Sequence, residues 1–106
     1  MKVTIKRVKS NVDAIGEFNV DTGTLTVFSG SRLSDHIAFT GKFRGAKTVE
    51  KTREGVVENG VLIKDMTFKS ASTAANFVTG SSTNGLTTWK TEDGKKLKDV
   101  IPAKKK

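Results

Sequence analysis

The sequence predicts a small α+β domain: a mainly antiparallel sheet built of hairpins, with two short helices packed on it. Three observations lead there. Fourteen threonines and eleven valines favour extended backbone. Ten glycines punctuate the chain with turns. Helical periodicity is confined to a segment starting at Ala46 and another following Ser70.

Val3 and Ile5 alternate with Thr4 and Lys6, the pattern of a first strand. Phe18 to Val20 reads as a second. Asp21-Thr22-Gly23 is a turn signal that folds it back onto Leu25-Thr26-Val27-Phe28. Leu25 and Val27 then face one side, Thr26 and Phe28 the other. Ser31-Arg32-Leu33-Ser34-Asp35 reads as loop, and Ile37-Ala38-Phe39 is a short apolar run. Beyond it, Ala46, Val49, Arg53, Val56 and Val57 share one helix face, leaving Lys47, Lys51 and Glu54 to solvent. Gly55 weakens this helix by about 1 kcal/mol relative to alanine, and Asn59-Gly60 supplies its C-terminal stop. Val61-Leu62-Ile63 is a strand, Lys64-Asp65 turns, and Met66-Thr67-Phe68 continues extended. Ser70 is an N-cap for a helix from Ala71 to Thr79, and Gly80 fits its C-terminal cap. Ala74, Ala75 and Val78 form a small-residue stripe with Phe77 at its edge. Thr87 to Thr91 reads as a strand, Glu92-Asp93-Gly94 as a turn, and Lys95 to Leu97 as the returning strand. One domain is expected over residues 1–102, with 103–106 a disordered basic tail.

The 106 residues suffice for a real core, burying roughly 60–68% of the surface of the unfolded chain. They are too few for a dinucleotide fold with a substrate domain, or for a (β/α)8 barrel. The absence of cysteine excludes disulfides, thiolate zinc sites, iron–sulfur clusters and cysteine nucleophiles. A single histidine excludes a His-rich metal site. No apolar run approaches the roughly 20 residues of a membrane span. The basic start, Met1 to Arg7, is followed by no apolar signal core. A soluble, cytoplasmic protein without metal or cofactor is the expectation.

Nineteen Lys and Arg against eleven Asp and Glu leave a charge of +8, a balance that invites a polyanion. Three basic blocks carry it: +4 in residues 1–9, +4 in 36–53 and +4 in 81–106. Residues 10–35 carry −3 and 54–80 carry −1. Without Lys104, Lys105 and Lys106 the domain is still +5.

Catalytic chemistry is not expected. His36 follows Asp35, but no nucleophile accompanies the pair, and neighbours in a strand point to opposite faces. Gly41-Lys42-Phe43-Arg44-Gly45-Ala46-Lys47-Thr48 fails the phosphate-loop spacing: three residues separate the glycines, and Ala46 precedes Lys47. Asp13, Glu17 and Asp21 read as solvated hairpin residues.

The run from Asp65 to Ala75, with Lys69-Ser70-Ala71-Ser72 at its centre, precedes Gly80, Asn84-Gly85 and Trp89-Lys90. This pattern resembles a small domain found at the C-terminus of GIY-YIG nuclease chains and beside restriction–modification proteins. That domain is similar to the RAMA (restriction enzyme adenine methylase associated) module. Upstream, Arg53 to Gly60 resembles the family's helix end, and Thr24 to Ser31 its Gly-Ser-terminated strand. The resemblance covers roughly residues 14–97. Ala71 replaces the family's proline and Leu86 a frequent tryptophan; that aromatic serves either a base or the core. The resemblance implies an accessory module that contacts DNA or reads its modification, and the RAMA relatives point to methylated adenine.

Ser70 and Ser72 stand at a helix start after Lys69, where free N–H groups suit a phosphate, though capping is the simpler role. Asn84 is either a turn residue or a reader of an adenine edge. Trp89 is core before it is a stacking platform. The expected nucleic-acid patch is Lys69, Ser70, Ser72, Asn84 and Lys90, with Arg32, Lys42 and Arg44 as outer phosphate contacts. The expected function is a non-catalytic nucleic-acid-binding module, for duplex DNA. The alternative is a protein-interaction module pairing with a nuclease or methylase chain.

Overall fold

A computed structural model describes residues 1–8, 11–34, 46–81 and 83–100. The predicted α+β class is what it shows. Strands β1 (Lys2–Arg7), β2 (Val12–Phe18), β3 (Leu25–Val27), β6 (Met66–Phe68) and β7 (Lys90–Thr91) form one antiparallel sheet in the order β6-β3-β2-β1-β7. Strands β4 (Val57–Glu58) and β5 (Val61–Leu62) form a separate hairpin. Helices are α1 (Ala46–Arg53), α2 (Ala71–Thr79), and the four-residue α3 (Gly85–Thr88) and α4 (Leu97–Val100).

The sheet has an inner and an outer face. Val3, Ile5, Val12, Ala14, Phe18, Leu25, Val27 and Phe68 are buried on the inner side, where α2 packs across β2, β3 and β6. Ala71, Ala74, Ala75, Phe77 and Val78 form the helix's buried face, and the small alanines let it approach the strands closely. Its ends are as predicted. The Ser70 hydroxyl accepts from the Thr73 N–H at 3.1 Å, and Gly80 closes the helix at φ 70°.

Several elements differ from their predicted form. The second strand begins at Val12 rather than Phe18, and residues 19–24 make the turn. Its inward positions include Ala14 and Gly16, which carry little apolar signal. A Cβ on Gly16 would stand 2.7 Å from the Thr26 carbonyl oxygen, so the strands meet there only through glycine. The first helix stops at Arg53, and Val57 leaves it to pair with Leu62. Asn59-Gly60 is therefore not a helix stop but the turn of the β4–β5 hairpin, both residues at positive φ (53° and 80°). The predicted 87–91 strand is divided between α3 and β7. Asn84 caps α3 through a bond from the Leu86 N–H (2.9 Å). Lys95 to Leu97 is no strand: Lys96 makes one bridge to Lys90, and Leu97 starts α4. Residues 31–34 lack regular structure, as predicted, yet Ser31, Leu33 and Ser34 are buried. Asp35, His36, the 37–39 run and the 41–45 part of the phosphate-loop-like segment lie outside the described residues.

Arg53 locks α1 to the end of α2. Its guanidinium donates to the carbonyls of Phe77 (2.7 and 3.1 Å), Val78 (3.3 Å) and Ser34 (3.1 Å), and to the Ser34 hydroxyl (3.2 Å). It also lies 5.7 Å from the Phe77 ring centroid. Burial lowers its pKa below the ordinary arginine value, yet the group stays protonated. The last carbonyls of α2 carry the negative end of the helix dipole, so the cation is well placed. Arg53→Met keeps the apolar stem and strands those carbonyls. Urea unfolding is expected to show a loss of about 2 kcal/mol; an unchanged midpoint would assign the bonds no net value.

Candidate functional site

β1 has six residues, but β7 pairs only with Val3 and Thr4. Beyond that short pairing the chain turns into α3, and a groove of about 750 Å³ opens at this edge of the sheet. Lys6 and Arg7 from β1, Lys90 from β7 and Lys96 line it, together with the threonines at 4, 87, 88 and 91. Glu92 is its one carboxylate among the described lining residues, and Lys2 Nζ already stands 3.4 Å from it.

The local fold sets this charge cluster. Fully buried Trp89 anchors the strand start, its Nε1 donating to the Ala71 carbonyl at 3.0 Å. The 92–94 turn is closed by Gly94 N–H to Thr91 O and Thr91 N–H to Lys95 O, both 2.9 Å. Lys96 is thereby held directly opposite Lys90 in an antiparallel bridge. Bridge partners share a face, with Cβ atoms about 5 Å apart. Two like charges so placed are destabilising on their own, and an anion between them would relieve the repulsion. Of the hydroxyls around them, that of Thr87 already donates to the Asn84 carbonyl at 3.1 Å, whereas those of Thr4, Thr88 and Thr91 are fitting donors to phosphate oxygens.

The predicted site residues divide. Ser70, Ser72 and Asn84 do come together where α2 meets α3, but their oxygens have structural partners. Ser70 caps α2, Asn84 caps α3, and the Ser72 hydroxyl accepts from the Gly85 N–H at 3.0 Å. Lys90 lies past Trp89 in the basic groove. Lys69 follows β6, on the other edge of the sheet, where it borders a smaller, mainly apolar groove between α1 and α2. Lys69, just after one edge strand, and Lys90, within the opposite one, thus line different grooves. Exposed Arg32 bridges Asp13 and Val61, away from the groove lining. Lys42 and Arg44 lie outside the described residues. Lys6, Arg7 and Lys96 line the groove and are not among the residues expected from the sequence. The signal for them was present as charge: the groove is where the basic blocks 1–9 and 81–106 meet.

Among the described residues, no group of three or more His, Cys, Asp or Glu is placed to hold a metal ion, and no helix is long and apolar enough to cross a membrane. No curated protein and no solved structure matches the chain. A family model does match, from Thr4 in the groove wall to Ile101 just past α4: the chain belongs to the family described as a domain of unknown function, DUF4357, over residues 4–101.

Proposed function

We propose that this domain is a non-catalytic accessory module that binds the phosphate backbone of nucleic acid, duplex DNA in particular. The observation that carries the reading is the facing pair Lys90–Lys96 in a groove that also holds Lys6 and Arg7. Lysine, arginine and threonine contacts recognise phosphate whatever the base, and a duplex presents its phosphates outward. The resemblance to domains beside GIY-YIG nucleases and restriction–modification proteins supports the same direction. On this reading the module works in the cytoplasm, adding DNA affinity to a nuclease or methylase partner.

Salt dependence of binding tests it. Four cations replacing condensed counterions give a slope of log K against log salt of about −3.6. Lys90→Glu with Lys96→Glu is expected to weaken duplex binding more than about ten-fold and to flatten the slope by about 1.8. Lys69→Glu, or removal of Lys104 to Lys106, is expected to change affinity less than about three-fold. The reading fails if the protein binds no duplex at low salt. It also fails if loss of the tail abolishes binding while the groove variant keeps it.

A further inference from the structure

The pairing register lays a continuous row across the outer face of the sheet, beginning at the groove. Lys96 stands opposite Lys90, Lys90 opposite Thr4, and Thr4 opposite Ile15. Phe28 comes next. Its N–H donates to the Ile15 carbonyl at 2.9 Å, one residue beyond the Gly16–Val27 pair. Val27 is fully buried on the inner face, so alternation places the Phe28 ring on the same outer face as Ile15. Phe28 is half-buried and Ile15 is 39% exposed. Neither belongs to the core cluster, and α2 packs on the other face. The row thus starts with two cations and ends with an apolar and an aromatic side chain.

We infer that this row is a subsite for an unpaired strand of nucleic acid, with phosphate held at Lys90 and Lys96 and bases lying on Ile15 and Phe28. The inference rests on the reading of the basic groove and adds to it a second ligand form: besides the duplex, the same lysines take an unpaired strand, whose bases alone reach Ile15 and Phe28. Strand spacing puts Ile15 about 10 Å and Phe28 about 14 Å from Lys90, so the apolar end lies beside the phosphate end rather than within it. A backbone held at the lysines can turn its bases inward over the sheet. In a duplex those base faces are already stacked on one another and cannot lie on the protein. A stacked base contributes about 1–3 kcal/mol, with little sequence preference, because every base has a π-face. Continuity with the groove and the charge of its lysines favour this occupant over a peptide with no repeating charge.

The test compares fluorescence anisotropy of a labelled oligothymidine of about 12 nucleotides with that of a blunt duplex of equal length, at low salt, on the full chain. Phe28→Leu is expected to weaken the single strand about five-fold and leave the duplex unchanged. Ile15→Phe, at a more exposed position and so less dependent on tolerance of the fold, is expected to tighten the single strand by about the same factor. Lys90→Glu is expected to weaken both ligands. If Phe28→Leu and Ile15→Phe leave oligothymidine binding unchanged while the duplex still binds through Lys90, the subsite is wrong and the groove reading stands. Absence of binding to either ligand overturns both. Displacement of oligothymidine by polyglutamate at equal charge concentration would show capture by charge alone and overturn the subsite.

Discussion

Replacing Gly85 by alanine is expected to lower the unfolding free energy by at least about 3 kcal/mol, with a proportionate fall in the urea midpoint. A Cβ at this position would stand 2.2 Å from the carbonyl carbon of Ala71, 2.3 Å from its oxygen and 2.4 Å from the Ser72 nitrogen. All three are backbone atoms of the first turn of α2, so no rotamer change relieves the overlap. α3 must move away from α2. That movement stretches the Gly85 N–H bond to the Ser72 hydroxyl and the Trp89 bond to the Ala71 carbonyl. Gly94→Ala is the control. It sits at φ 85° with nothing within 4 Å of the added methyl, and only the left-handed backbone costs it, about 1 kcal/mol. Equal losses for the two variants would show that the α2–α3 approach is slack. An unchanged midpoint for Gly85→Ala would show that the close approach contributes nothing.

This junction marks the boundary of what local sequence patterns reveal. Helix α2 was legible to the residue because each of its determinants lies within it: the Ser70 cap, the alanine stripe and Gly80. α3 was not. Thr87 and Thr88 favour strand by propensity, and the Asn84 cap with the fit of Gly85 against Ala71 overrides them. Asn59-Gly60 satisfies two rules at once, helix stop and tight hairpin turn. Pairing of Val57 with Leu62 decides between them. In β2 the outward Ile15 and inward Gly16 invert the usual apolar alternation, which hid most of the strand. The candidate site follows the same logic. Its charge was readable from composition, and Lys90 was among the residues expected. That Lys6 and Arg7 join it depends on Val3 and Thr4 pairing with Thr91 and Lys90, a contact no local pattern encodes. Ser70 and Ser72 stand out in the sequence as polar groups at a helix start and Asn84 as a turn residue or base-edge reader, and their bonds show how fully a cap or an inter-helix tie accounts for such residues.

Trp89→Ala is expected to be the most damaging single substitution, with a loss of about 4 kcal/mol. The indole is fully buried, is the largest side chain in the core, and sits between the first turn of α2 and the start of β7. Alanine leaves a cavity and an Ala71 carbonyl without its indole donor. Trp89→Phe separates the two effects. It retains most of the apolar bulk, so its expected loss of about 2 kcal/mol reports mainly the missing hydrogen bond and the residual gap. The measurement is chemical unfolding followed by circular dichroism, because Trp89 is the sole tryptophan and its fluorescence disappears with it. A further consequence reaches the groove. Trp89 immediately precedes Lys90, and its carbonyl accepts from the Leu97 N–H at 3.0 Å, next to Lys96. Both lysines are therefore positioned from this one residue. If the groove binds phosphate, Trp89→Phe is expected to weaken duplex binding about three-fold under conditions where the variant remains folded, since less well-ordered lysines lose entropy on binding. Folded Trp89→Phe with wild-type affinity would show that the strand pairing alone, and not the indole anchor, sets the lysine pair.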